Sequence, residues 1–255
     1  MKDDFDLIVH KFDRDEDAIR IYPIGDTHIG SGHLNSKILE HWLDVVADDP
    51  SGYVVIVGDM IENGLKNSKT NSYEAKMRPW EQKVALKEFL APISHKILGA
   101  VTGNHEYRSI NEVDDCPLYD VMCKFDIEDL YRQNMAFIKL SLGEKNKERQ
   151  FTYTFALAHG ASRNKTENFS YSIDGLDVFV TGHIHKGGSG FPSKIVIDPR
   201  NEQVRLQDFT HVVVPSFQEM GGYALRGLYI PQCSSKFPVI ELSGTEKDVS
   251  VLWRT

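Results

Sequence analysis

The stretch VTGHIHKGG, from Val180 to Gly188, sets two imidazoles two residues apart between an apolar run and a pair of glycines. In a strand, residues two apart share a face, so His183 and His185 are expected to lean to the same side of a sheet end. Imidazole is the commonest protein ligand for zinc, manganese and iron, and neighbouring glycines let the backbone turn and a second group approach. Two histidines that end a strand are more often simply solvated, so the pair needs company. The chain supplies it: GDTHIG carries Asp26 and His28, GDMIENG carries Asp59, GNHEYR carries Asn104 and His105, and AHG carries His159. All are oxygen or imidazole donors with no thiolate among them, a mixture that suits Mn, Fe or Zn better than a structural cysteine-zinc site. One ion takes about four protein ligands. Seven such residues, with His105 beside them, fit two ions.

Something must bring these short blocks together. Each follows an aliphatic or β-branched run: AIRIYPI from Ala18, YVVIV from Tyr53, KILGAV from Lys96, FTYTFALA from Phe151 and DVFV from Asp177. Between the first two, Ile38, Leu39, Trp42, Val45 and Val46 recur at helical spacing behind an Asn35/Ser36 cap. Between the second and third, Pro79 opens a helix whose apolar face is expected to be Trp80, Val84, Leu86, Phe89 and Leu90. Strand, helix, strand, helix, strand is the α/β pattern, in which ligands bind at the carboxyl ends of strands. Further strand-like runs, MAFIKLSL, SKIVID, DFTHVVV, FPVIELS and DVSVLWR, are expected to build a second sheet.

Taken in order, D-x-H, G-D-x-x-[DE], G-N-H-[DE], a lone H and G-H-x-H, from Gly25 to His185, resemble the calcineurin-like metallophosphoesterase superfamily. The resemblance implies a four-layer αββα sandwich. It also implies two divalent cations, Mn2+ foremost, with Fe, Zn or Ni as alternatives. Asp26, His28 and His185 would hold one, Asn104, His159 and His183 the other, and Asp59 would bridge them. Cations roughly 3.5–4 Å apart repel strongly, and a shared anion keeps them together. A hydroxide between them would attack phosphorus, with His105 giving a proton to the leaving oxygen. Glu62 and Ile184 stand where many members have Asp and Thr, and neither is expected to touch metal. The segment from Thr210 to Gln232 resembles the tail of metallophosphoesterases of bacteriophages and prophages, which leans toward a bacterial or viral source.

Around this centre the alternatives stay open. Glu106 is either a carboxylate bonded to a ligand histidine or a solvated strand end. Arg108 either grips a substrate phosphate or makes a surface salt bridge. His10, His33, His41, His95 and His211 are read as structural. The polar stretch from Asn63 to Lys76 is a candidate rim, and Lys66, Lys69, Lys76, Arg78 and Trp80 are a candidate basic, aromatic groove.

Composition narrows the classes. The 255 residues hold 41% apolar residues, no repeat and no low-complexity linker, which predicts one domain over 1–255. Acidic residues exceed Lys plus Arg by 8, which argues against a protein that only grips DNA through its phosphates. The N-terminal stretch is acidic where a signal peptide needs a basic start, and no apolar run reaches membrane-spanning length, so a cytoplasmic protein without a membrane partner is expected. Cys116, Cys123 and Cys233 have no ligand spacing and suit a reducing compartment. The expected substrate is a phosphate ester, a phosphodiester of nucleotide or nucleic-acid type. A phosphomonoester or phosphoprotein is the alternative within the class, and a silent protein-binding module is the alternative outside it. No heptad or apolar stripe specifies an oligomer.

Overall fold

The computed structural model describes residues 2–12, 17–66, 68, 75–143, 150–221, 225 and 235–255. In chain order the strands are β1 (Ile8–Phe12), β2 (Ala18–Ile24), β3 (Gly52–Ile56), β4 (Ile97–Val101), β5 (Tyr131–Arg132), β6 (Met135–Leu142) and β7 (Phe151–Ala158). They continue with β8 (Val178–Thr181), β9 (Gly188–Gly190), β10 (Ser193–Asp198), β11 (Gln203–Asp208), β12 (Thr210–Val213), β13 (Phe237–Ser243) and β14 (Val249–Arg254). The helices are α1 (Ser36–Asp48), α2 (Pro79–Leu90), α3 (Asn104–Val113), α4 (Pro117–Lys124) and α5 (Arg163–Ser170).

Two mixed six-stranded sheets form, in the orders β14-β13-β2-β3-β4-β5 and β1-β6-β7-β8-β12-β9. Both faces of β2 and β3 are buried, so their sequences are nearly unbroken apolar runs. Alternation sorts the side chains. Ile19, Ile21, Val55 and Val57 face the second sheet, where they meet Ile138, Leu140, Tyr153 and Phe155. Tyr22, Ile24, Val54 and Ile56 face the helices, against Leu39, Trp42, Val46, Leu86 and Leu90. The outer face of the second sheet carries only a small cluster of Ala156, Leu176, Phe179 and Phe209, so the fourth layer is thin. The architecture is the mixed α/β arrangement of two sheets with flanking helices.

Three expectations change. The second half of the chain does not build the second sheet by itself: β13 returns antiparallel to β2, so β13 and β14 extend the first sheet. β10 and β11 stand apart as a two-stranded hairpin whose Ile195, Ile197, Val204 and Leu206 are about 70% exposed. On α2, Trp80 (60% exposed) and Val84 (48%) face outward, and the polar Gln82 is buried instead. Gln82 accepts from the Asn63 N–H at 2.7 Å and donates to the Met77 carbonyl, so a loop that needs satisfied amides overrides the apolar pattern. Lys69, Cys233, half of the segment 63–76 and all but one residue of 222–232 lie outside the described residues.

The connection from α1 to β3 is tied to β2 by Asp49. Its carboxylate accepts from Arg20 Nε and Nη2 at 2.5 and 2.6 Å and from the Tyr22 hydroxyl at 2.7 Å. Burial works against ionisation there, and the Arg20 and Tyr22 hydrogen bonds overcome it, holding the Asp49 carboxyl down at about 2. A depressed carboxylate stabilises the fold above its unfolded pKa near 4 and loses that contribution as pH falls toward 2. Asp49→Asn is therefore expected to lower stability at pH 7 by on the order of 2 kcal/mol. Urea unfolding from pH 7 to pH 2.5 checks this: the gap between variant and parent should shrink below pH 4, and a gap independent of pH would contradict it.

Candidate metal centre

The strands β2, β3 and β4 are parallel, as are β7 and β8, so the carboxyl ends that carry the polar blocks gather at one edge of both sheets. Asp26 and His28 follow β2, Asp59 follows β3, Asn104 and His105 open α3 beyond β4, His159 follows β7, and His183 and His185 follow β8.

Three donor groups form there among the described residues: His28, Glu62 and His105 make one, and the other two share Asp59. Asp26, His28, Asp59 and His185 have ligand atoms within 4.8 Å of one another, and so do Asp59, His159 and His183. In the first, His28 Nε2 lies 3.1 Å from His185 Nε2, which is itself 3.4 Å from Asp26 Oδ1. In the second, His159 Nε2 lies 3.2 Å from Asp59 Oδ2, 3.0 Å from Asn104 Oδ1 and 3.2 Å from His183 Nδ1, and His183 Nδ1 is 2.8 Å from Asn104 Oδ1. All seven residues singled out from the sequence converge, with His105 Nε2 at 3.8 Å from Asp59 Oδ2.

The two buried aspartates are held alike. Asp59 Oδ1 accepts the His105 backbone N–H at 2.7 Å, capping the amino end of α3, and its Oδ2 is left to face the histidines. Asp26 Oδ2 accepts the His183 N–H at 2.9 Å, while Oδ1 is buried without a hydrogen-bond partner among the described residues. A buried carboxylate oxygen with no donor is costly unless a cation meets it. His159 Nδ1 lies 2.7 Å from the Val57 carbonyl and donates to it, which turns the Nε2 lone pair inward. Orphaned oxygen and oriented imidazoles without thiolate fit divalent cations.

Electrostatics agrees. Burial opposes ionisation of Asp59, and the charges of His159 and His105 nonetheless hold it well below the ordinary carboxylate range. The reciprocal effect carries His159 up to about 10, Asp59 outweighing burial. Burial also opposes ionisation of Asp26, which His185 and His159 hold below its ordinary value. Protons on histidine thus stand in for positive charge that the acids require, and a bound cation would release them.

The local backbone is strained where these donors sit. Asp26, His28, Asp59, His183 and His185 have φ of +49°, +49°, +51°, +70° and +57°. Left-handed non-glycine residues cost on the order of 1–3 kcal/mol each and gather at functional sites. They also correct the reading of His183 and His185. β8 ends at Thr181, and left-handed turns at both histidines break the two-residue alternation, so the rings diverge: His183 joins Asn104 and His159, His185 joins Asp26 and His28. The glycines of the blocks allow close approach, since a Cβ on Gly103 would collide with Asp59 and one on Gly182 with Asp26.

Supporting residues depart from expectation. Among the described residues, Glu106 bonds no histidine, and it is not solvated. Fully buried, it accepts from the N–H groups of Asp59 and Gly103 at 2.9 Å and of Ile61 at 3.1 Å, and burial beside Asp59 raises its pKa. Glu62 lies closer to the centre than its place in the block suggests: Oε2 is 3.2 Å from His28 Nδ1, and its carbonyl accepts from His105 Nδ1 and Arg108 Nη1 at 2.7 and 2.9 Å. Arg108 Nη2 lies 2.8 Å from His105 Nε2. Asn63, at φ +44°, donates to the His105 carbonyl at 2.7 Å. Of these, Glu106 had a signal in the sequence as an acid three residues after the glycine that caps α3, and Arg108 as a candidate phosphate contact, whereas the contacts of Glu62 and Asn63 had none. Trp80, of the expected basic groove, stands exposed on α2, and Lys69 is not described.

The sequence model of the family described as calcineurin-like phosphoesterase matches residues 19–187, well over half of the chain. The chain belongs to that family, which supports a metal-dependent hydrolase of phosphate esters. No curated protein matches the chain. Similar solved structures include a metallophosphoesterase from Sphaerobacter thermophilus, 15% identical over 93% of this chain and 89% of its own, with a TM-score of 0.44. The calcineurin-like phosphoesterase YfkN from Bacillus subtilis is 10% identical over 93% and 90%, with a TM-score of 0.45. Vps29 from Entamoeba histolytica, complexed with Zn2+, is 14% identical over 92% and 98%, with a TM-score of 0.41. Among the described residues, no helix is long and apolar enough to cross a membrane.

Glu106→Ala would strand three buried amides and is expected to lower stability by roughly 3 kcal/mol or more, at about 1–3 kcal/mol for each lost partner. Glu106→Gln, which keeps one acceptor oxygen, should lose less. Urea unfolding of both variants checks this, and a Glu106→Ala chain within error of the parent would contradict it.

Proposed function

We propose that the chain hydrolyses phosphodiesters, of nucleotide or nucleic-acid type, at a centre of two divalent cations. The observation that supports this most is the single Asp59 carboxylate shared by two donor groups, 3.2 Å from His159 and 3.9 Å from His28 through the same Oδ2. In this reading Asp26, His28 and His185 hold one cation, Asn104, His159 and His183 the other, and Asp59 serves both. Manganese is the favoured ion, with Fe, Zn or Ni admitted by the same donors. When bound, such ions polarise phosphoryl oxygens and acidify water.

The chain's own residues complete the chemistry. The α3 amide fixes Asp59 Oδ1, so only Oδ2 is presented. His105 is oriented by its Nδ1 donating to the Glu62 carbonyl, which makes Nε2 the atom that exchanges a proton. Burial and His28 push His105 down to about 4, and Nε2 accepts from Arg108. A phosphate anion competes for that guanidinium. With Arg108 turned to the phosphate, Nε2 is free to carry a proton and deliver it to the departing alkoxide. One guanidinium suits the single charge of a diester better than the near-double charge of a monoester. An alkoxide leaving group also gains most from a positioned acid.

Manganese-dependent hydrolysis of bis-p-nitrophenyl phosphate beside p-nitrophenyl phosphate tests the reading. The diester should be preferred. His105→Ala should lower its turnover by roughly 10²–10⁴-fold, the range of general acid catalysis. Monoester preference would overturn the diester assignment, and no turnover of either ester by metal-loaded chain would favour a silent binding module.

A further inference from the structure

A cleft of ≈ 430 Å³ opens between α5 and the edge formed by β9 and β12. Its walls continue the segments that carry the candidate ligands. Ile184, which lines it, stands between His183 and His185, Lys186 follows at once, and Arg163 lies four residues beyond His159. The cleft is unlike a structural groove in three respects. The side chains of Arg163 and Lys186 make no salt bridge or hydrogen bond among the described residues. Two aromatic rings are left open, Phe191 at 65% and Tyr171 at 42% exposure, the latter braced edge-on against Phe209 with ring centroids 5.8 Å apart. The edge strand between them is bare: a Cβ at Gly188 or Gly190 would meet nothing within 4 Å, and neither glycine has a positive φ, so neither packing nor backbone geometry explains the missing side chains.

The lining also holds His211 and one carboxylate, Glu167, against the two cations. The excess of positive charge, the open rings and the flat exposed backbone suit a ligand that is at once anionic, planar and aromatic. Inorganic phosphate would use the cations and leave the rings idle, and an apolar segment would leave the cations unmatched. We infer that this cleft binds a nucleotide, its base against Phe191 and Tyr171 and its phosphate near Arg163 and Lys186. This deepens the phosphodiester reading, on which it rests, by placing a nucleotide unit of the substrate beyond the His183–His185 turn.

The test is direct binding, measured by calorimetry on the full chain in excess chelator, with adenosine 5′-monophosphate as probe and inorganic phosphate as control. The nucleotide should bind tighter than phosphate. Phe191→Ala should weaken nucleotide binding by about tenfold, the lower part of the range for one stacked base, and leave phosphate binding in place. Arg163→Gln combined with Lys186→Gln should weaken both. All three positions are exposed, and far-ultraviolet dichroism of each variant verifies the fold. Nucleotide binding no tighter than phosphate, or unaltered in every variant, would overturn the cleft. The reading on which it rests fails separately, when manganese-loaded parent chain turns over neither nitrophenyl ester.

Discussion

The arrangement depends on a division of labour within one carboxylate. Asp59 gives Oδ1 to the first turn of α3 and Oδ2 to the histidines, and both halves are buried. The first contact docks a helix whose opening residues are Asn104 and His105. The second faces two donor groups, each of which draws residues from both sheets. Glu106 closes the loop from the other side, accepting the amides of Asp59 and of Gly103 on the one oxygen Oε2. The end of β3 and the start of α3 are thereby fixed to each other through side chains rather than through strand pairing. The fold as a whole serves this closure. Parallel β2, β3 and β4 bring their ends to one edge, and the core between the sheets brings the ends of β7 and β8 to meet them.

Packing this much acid out of water requires compensation. Asp26, Asp59, Glu62 and Glu106 are all buried at the centre. The positive charge in contact with them is a cluster of histidines, and the raised pKa values of His28 and His159 reflect that demand. Histidine protons are the weaker solution, because they leave the orphaned Asp26 Oδ1 unmet. Divalent cations at this centre would meet the orphan and use the imidazole lone pairs, and their binding free energy would offset the left-handed backbone at five donor positions. Strain, buried acid and inward lone pairs thus share one explanation.

Much of this was legible in the sequence because the polar blocks are local. Each is a few residues beyond an apolar strand, and strand ends in an α/β sheet share an edge, so Asp26, His28, Asp59, Asn104, His159, His183 and His185 could be gathered without coordinates. The parts that were not legible depend on closure in three dimensions. Glu106 and Glu62 act on backbone amides, carbonyls and ring nitrogens whose positions no spacing rule gives. The divergence of His183 and His185 comes from left-handed φ values at non-glycine residues, which local propensity disfavours. Gln82 takes a core position from Trp80 and Val84 because a loop amide needs it. The return of β13 to β2 is a pairing across most of the chain, invisible to periodicity.

The most direct test of the shared-carboxylate account is the metal content of the purified chain, dialysed after loading with manganese and measured by elemental analysis, for the parent and for Asp59→Asn. The account predicts two ions per parent chain and at most one for the variant, since removing the shared charge leaves two cations with nothing to hold them together. A single ion in the parent, or two in both proteins, would contradict it.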